Sequence, residues 1–289
     1  MRLYAQQGVQ PAADRAVFNR AEQLVAWFDA LFRDHMLGSL EKAGFGLAMR
    51  HPRFQKSLEM MLGERDRPPA YQRYPQMPLV YYYPDLPYVQ FADPAGFEWV
   101  PRLRAEFGAM RDEARRLLDG KADFQPYVKA NAQRPQGDVH GLLENPDWST
   151  LFLWENGAPV DEHIVHCPRI FDAVMKHVPL CHIGSRAPSV MLSLLRAGSK
   201  IPPHTGMVNC RYICHLPLIV PPDCGFRVGE RTINWKEGEV IIFDDTVEHE
   251  AWNNSQQDRL VLIFDVWRPE LVEGEQAQIQ ALFNAVDSY

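Results

Sequence analysis

No apolar run in the 289-residue chain approaches the roughly 18 residues needed to cross a bilayer. Its opening, Met1 to Gln7, also lacks the apolar core of a secretory leader. These two absences predict a cytoplasmic protein with no membrane span. Cysteine is scarce, with only Cys167, Cys181, Cys210, Cys214 and Cys224. An odd count without a leader predicts free thiols and no disulfide framework. Cys210 and Cys214 lie four apart beside His215, which raises zinc, but no second close Cys or His pair completes a tetrahedral set. A basic excess is missing as well. The net charge is −7 and the pI is near 5.8, so there is no electrostatic footprint for nucleic acid. No internal repeat and no low-complexity tract is visible. A 46% hydrophobic and 23% charged composition excludes disorder. The length allows one large domain, or one domain with an extension.

The chain divides by texture. Residues 13–35 predict an amphipathic helix, with Val17, Ala21, Leu24, Val25, Phe28, Leu31 and Phe32 at helical spacing. A second helix is expected over 52–62. Residues 65–86 are rich in proline and tyrosine and read as an ordered connector. Helices are expected over 97–119 and 170–178. After that come short runs broken by Gly, Pro, Asp and Asn: Val190 to Leu195, Tyr212 to Val220, Gly225 to Val228, Glu239 to Phe243 and Arg259 to Trp267. They predict strands of a sandwich or jelly-roll. Residues 270–288 predict a closing helix. The expected fold is mainly β with flanking helices. Residues 1–85 form a helical N-terminal region and connector, and residues 86–289 a jelly-roll domain with a C-terminal helix.

Two distant histidines followed by an arginine carry the chemistry. His204 follows Pro202-Pro203 at a turn after a strand. His249 lies beyond the run Val240 to Phe243. Only a fold that brings strand ends together could pair them, and a jelly-roll does. Imidazole suits Fe(II), and oxygenases of this kind keep positions open for a chelating cosubstrate and O₂. The third ligand, a carboxylate two residues after the first His, is lacking: that position is Gly206. Arg259 enters an apolar strand, where a charge needs a partner. A dicarboxylate such as 2-oxoglutarate would pair with it bidentately, and Ser193 could donate to the same carboxylate. A salt bridge from Arg259 to Asp244, Asp245 or Asp265 is the structural alternative. Alternation places Arg211, Ile213 and His215 on one strand face. If that face looks inward, His215 meets the cosubstrate and Arg211 the substrate; if outward, Arg211 is solvated. Asp245 could orient a metal-bound water or cap a turn.

The block Pro203-His204-Thr205-Gly206, Asn209-Cys210-Arg211 and His215 to Pro221 resembles the aspartyl/asparaginyl β-hydroxylase family. So do Trp235, Gly238-Glu239, Ile242 to Asp245, Glu248 to Glu250, Trp252-Asn253, Arg259 to Trp267, Asp147 to Ser149 and Cys167-Pro168. The resemblance covers roughly Leu86 to Leu271. It implies a double-stranded β-helix and Fe(II)/2-oxoglutarate-dependent hydroxylation with O₂. It carries His204 and His249 over as iron ligands, and Ser193, Arg259 and His215 as cosubstrate contacts. A branch of the family also holds iron with two histidines and a glycine, which Gly206 matches. The departures concern substrate. Where relatives that act on Asp or Asn use basic residues, this chain has Leu143, Met191 and Ile213, and only Arg211 is basic. The expected substrate is a peptide or small molecule held in a less cationic pocket. Nucleic acid and membrane are not expected partners, whereas residues 1–85 could bind a protein. The rival functions are a non-catalytic iron or 2-oxoglutarate sensor, a halogenase with chloride at the position Gly206 leaves open, and a zinc or nickel cupin enzyme.

Overall fold

The computed structural model describes residues 12–120, 122–130 and 141–289. The Met1–Gln7 opening lies outside them. The helices are α1 (Ala12–Lys42), α2 (Pro52–Met61), α3 (Trp99–Ala105), α4 (Phe107–Asp119), α5 (Asp161–Ile164), α6 (Pro168–His177) and α7 (Glu273–Asp287). The strands are β1 (Phe91–Ala92), β2 (Gln125–Pro126), β3 (Trp148–Glu155), β4 (Ala158–Pro159), β5 (Val190–Leu195), β6 (Lys200–His204), β7 (Arg211–Ile219), β8 (Cys224–Val228), β9 (Arg231–Asn234), β10 (Ile241–Phe243), β11 (His249–Asn253) and β12 (Arg259–Trp267).

These strands form two antiparallel sheets. The larger runs β1-β10-β7-β12-β5-β3-β2 with β4 on β3, and the smaller runs β6-β11-β8-β9. From β5 to β12 the chain alternates between the two sheets except for the β8–β9 hairpin within the smaller one, the winding of a double-stranded β-helix, so the jelly-roll expectation holds.

Alternation along the strands sorts their side chains into two cores. On β12, Leu260, Leu262, Phe264 and Val266 face outward and pack under α3, α4 and α6. Val261 and Ile263 face inward, with Met191, Leu195, Ile213, Phe226, Trp235 and Phe243. On β7, Tyr212, Cys214, Leu216 and Leu218 join the outer core. The inward set is therefore Arg211, Ile213 and His215. A third cluster ties the N-terminal region to the C-terminus: Met36, Leu40, Phe54 and Leu58 pack with Ile279, Leu282 and Phe283.

Several boundaries differ from expectation for local reasons. The first helix continues to Lys42, because Met36 and Leu40 extend the spacing that Phe32 begins. The single helix expected over 97–119 is two. Glu106 closes α3 with a tight bond to the Leu103 carbonyl at 3.1 Å, and α4 starts on the next residue. Strand β6 was concealed by Pro202 and Pro203. It lies at the edge of the smaller sheet, where proline's missing N–H costs no ladder bond. All five cysteines are free and buried. Cys210 and Cys214 belong to different cores and His215 to the opposite strand face, so no zinc cluster forms there.

One buried ion pair joins the N-terminal region to α7. Arg53 donates from Nε and Nη2 to the two oxygens of Glu275 at 2.8 and 2.5 Å, and Tyr83 donates to the same carboxylate at 2.7 Å. The Glu275 side chain is 0% exposed and that of Arg53 21%. Removing one partner of such a pair strands the other charge. Arg53→Met should cost about 3 kcal/mol in a denaturant titration, and Arg53→Met/Glu275→Met should recover most of it. A single-variant loss below roughly 0.5 kcal/mol would reduce the bridge to an ordinary surface pair.

Candidate active site

The interior brings the two histidines together. His204 ends β6, His249 opens β11, and the two are register partners across the smaller sheet. Their ring centroids are 4.1 Å apart. Each ring places Nδ1 against a carbonyl two residues earlier, Pro202 O at 2.8 Å and Val247 O at 3.0 Å. These bonds orient both rings through Nδ1, so Nε2 is the nitrogen a metal would take. Burial, then the neighbouring His204 ring, pushes the His249 pKa down to about 3. His249 is therefore a neutral imidazole at physiological pH, the form that binds a metal.

Successive contacts run from this pair round the barrel and close on themselves. His249 meets Phe243 at 5.3 Å between centroids, and Phe243 meets His215 edge-on at 4.8 Å. His215 stacks on Trp235 at 5.3 Å, and the Arg259 guanidinium lies 5.0 Å over the Trp235 ring. Arg259 donates to Ser193 Oγ at 3.4 Å, Trp148 donates to the same Oγ at 3.2 Å, and Trp148 lies 6.0 Å from His204. Imidazoles stand at one end of this circuit and a guanidinium with a hydroxyl at the other.

Several buried polar atoms have no hydrogen-bond partner, Arg211 Nε and Trp235 Nε1 among them, and three further groups bear on the site. Arg259 is 2% exposed, its Nε has no hydrogen-bond partner, and no acidic side chain among the described residues pairs with it. Burial pulls its pKa down to about 10. The salt-bridge alternative fails on all three aspartates. Asp244 accepts from Arg268 at 3.0 Å, Asp265 accepts from Arg211, and Asp245 lies 3.7 Å from Arg211. His215 Nδ1 is also buried without a partner, and burial followed by the charge of Arg259 pushes its pKa well below the usual histidine range. The third group is Asp245 Oδ1. Burial raises the Asp245 pKa to about 7 despite Arg211 nearby.

Asp245 explains the glycine at 206. A Cβ on Gly206 would fall inside the Asp245 carboxylate, and the Gly206 N–H donates to the Asp245 carbonyl at 2.7 Å. The volume a third ligand would start from is already occupied. Asp245 does not replace that ligand: among the described residues no three His, Cys, Asp or Glu groups converge to hold a metal. The β7 face does look inward, but Arg211 is tied to Asp265 and near Asp245, so its charge is already neutralised. Met191 and Ile213 line the interior, and Leu143 is half-buried beside Val128.

One contributor was missed from sequence. The Pro/Tyr-rich connector straps the loops flanking both histidines. Met77 N–H donates to Thr246 O at 2.7 Å, Leu79 N–H to Gly206 O at 3.0 Å, and Gln76 Nε2 to Asp244 Oδ2 at 2.5 Å. Asn209 clamps it further, accepting from Tyr83 N–H at 2.6 Å. These are backbone and amide bonds with no period or motif. Only the unused polar groups of Gln76 and Asn209 hinted at them.

The family model described as Aspartyl/Asparaginyl beta-hydroxylase matches residues 104–269. The chain is 32% identical over 187 residues to the aspartyl/asparaginyl beta-hydroxylases of Mus musculus and Homo sapiens, covering 64% of this chain. It spans only about a quarter of their length, 24% and 23%. It is 31% identical over 180 residues to the ornithine lipid ester-linked acyl 2-hydroxylase of Rhizobium tropici, covering 61% of this chain and 60% of that one. Among the described residues no helix is long and apolar enough to cross a membrane.

The Gly206–Asp245 fit is directly testable. Gly206→Ala should displace the carboxylate and cost about 1–3 kcal/mol, read as a lowered melting temperature. Adding Asp245→Ala should restore much of it. An unchanged melting temperature in the single variant would show that the two positions do not interlock.

Proposed function

We propose that this chain, which belongs to the aspartyl/asparaginyl β-hydroxylase family, hydroxylates an unactivated C–H bond using Fe(II), 2-oxoglutarate and O₂. The observation that carries the reading is the buried Arg259 guanidinium, which has no acidic partner among the described residues and donates to Ser193 Oγ. A dicarboxylate supplies the missing charge. Its far carboxylate would take two parallel N–H donors from Arg259 and a hydroxyl donor from Ser193. His204 and His249 would hold the metal through Nε2, a donor set that suits ferrous iron. Bound iron would supply O₂ activation coupled to oxidation of 2-oxoglutarate to succinate and CO₂. The remaining tasks fall to the protein. The aromatic circuit excludes water, and the Nδ1 bonds fix both imidazoles. His215, neutral by burial, offers its unpartnered Nδ1 to the cosubstrate. Asp245 Oδ1 offers an acceptor for a water beside the metal.

The substrate side favours an uncharged group around the reacting carbon. Met191 and Ile213 are apolar, and Arg211 already has carboxylate partners. A free carboxylate on the substrate would find no unpaired cation near these residues. The acyl hydroxylase relative is consistent with an acyl or apolar peptide substrate. The halogenase alternative loses its main support, because the Asp245 carboxylate fills the space beside Gly206 and would repel a halide there.

Purified protein with Fe(II), ascorbate and 2-oxoglutarate should release succinate slowly without substrate, and faster with an acyl-bearing one. His204→Ala and His249→Ala should abolish turnover and iron retention. Arg259→Leu should raise the KM for 2-oxoglutarate roughly 100-fold, from loss of about 3 kcal/mol of charged hydrogen bonding. Tight 2-oxoglutarate binding with no succinate under any condition would mark a sensor. A normal KM in Arg259→Leu would end the clamp assignment.

A further inference from the structure

The first helix has two unlike parts. Its C-terminal third is anchored: Met36 and Leu40 are fully buried, and His35 Nε2 lies 3.0 Å from the Ala285 carbonyl. From residue 22 to 31 every position is exposed. That stretch is not polar. Val17, Leu24, Trp27, Phe28 and Leu31 are between 40% and 71% exposed. Val17, Ala21, Leu24, Phe28 and Leu31 follow at steps of four, three, four and three. This is the spacing of a coiled-coil seam.

We propose that the seam is covered by a second copy of this chain, running antiparallel across a two-fold axis. Charge selects both partner and direction. With Val17, Leu24 and Leu31 as one core position and Ala21 and Phe28 as the other, the flanks are fixed. One flank carries Arg20, Trp27 and Asp34, and the other Phe18, Val25 and Phe32. In an antiparallel pair like flanks meet. Arg20 then faces Asp34 of the second copy, its Arg20 faces Asp34 here, and the two Trp27 side chains meet on the axis. Core layers place Leu24 against Phe28 and Ala21 against Leu31, small opposite large. A parallel pair would set Arg20 against Val25 and leave Asp34 without a cation. Asp34 is available for this pairing: its side chain is 75% exposed, and its one ion pair is a 3.9 Å contact with Arg33. A lipid surface suits an apolar helix too, but such helices carry a basic polar face. Residues 15–34 instead balance Arg15, Arg20 and Arg33 against Glu22, Asp29 and Asp34.

Sedimentation equilibrium of the full chain should give a concentration-dependent dimer, and Phe28→Glu should give a monomer with an unchanged melting temperature. Arg20→Asp should weaken the dimer at least tenfold. Arg20→Asp/Asp34→Arg should restore it, because the swapped charges again meet opposite partners. Trp27→Cys should form a disulfide-linked dimer under mild oxidation, and the buried native cysteines leave that readout clean. A monomer at every concentration overturns the proposal. So does a dimer indifferent to Phe28→Glu, or flotation with anionic vesicles in place of dimerisation. A charge swap that fails to restore overturns the antiparallel direction.

Discussion

Arg259 holds a guanidinium inside the barrel, 2% exposed and, among the described residues, with no carboxylate to neutralise it. An unpaired buried charge costs several kcal/mol, more than most single contacts return. The interior holds three aspartates that could have met it, and each is committed elsewhere. Asp244 takes Arg268, Thr246 and Gln76, while Asp265 takes Arg211 and the Ser189 N–H. Asp245 stands by Arg211 and Gly206. The barrel therefore separates its own anions from one cation. Trp235 partly compensates with its ring face, a contact worth about 2 kcal/mol when desolvated. The shortfall is the size of interaction that a bound carboxylate supplies.

The other end of the circuit obeys the opposite rule. There the protein has removed cationic character, not concentrated it. Burial keeps His249 neutral, and the backbone takes Nδ1 of both rings. Gly206 and Asp245 interlock so closely that no side chain fits at 206. The glycine at 206 is thus a packing consequence: the Asp245 carboxylate occupies the place where a side chain at 206 would begin. Its pKa near 7 means that burial, with the nearby charges of Asp244 and Asp265, outweighs the pull of Arg211.

How much of this could be read from sequence depended on whether the signal was local. The alternation of β7 and β12 is a property of consecutive residues, so period two alone groups Arg211, Ile213 and His215 on one face, while which face looks inward is set by the fold. The His204–His249 pairing was legible only through the fold, because forty-five residues separate them. Strand β6 was hidden by two prolines that an edge position tolerates. The partners of Arg211 could not be read at all. Asp265 lies fifty-four residues away, and the register that brings it near is set by the β7–β12 ladder. In the same way, α1 repeats one apolar period throughout, yet Met36 and Leu40 enter the core and Leu24 and Phe28 do not. Periodicity identifies a face; what covers it is a tertiary fact.

The connector at 76–83 changes how the barrel should be bounded. The family match begins at residue 104, but the loops after His204 and before His249 take their backbone partners from Met77, Leu79 and Val80. Tyr83 and Asn209 exchange two further bonds, at 2.6 and 2.9 Å. A loop held on one side by a sheet and on the other by a strap has few conformations left, which keeps the two imidazoles preorganised. Met77 and Leu79 reach those loops through backbone groups alone, so their side chains are free to vary. Residues such as Met77 and Leu79, both largely exposed beside the loops that carry His204 and His249, can then vary without disturbing the two histidines.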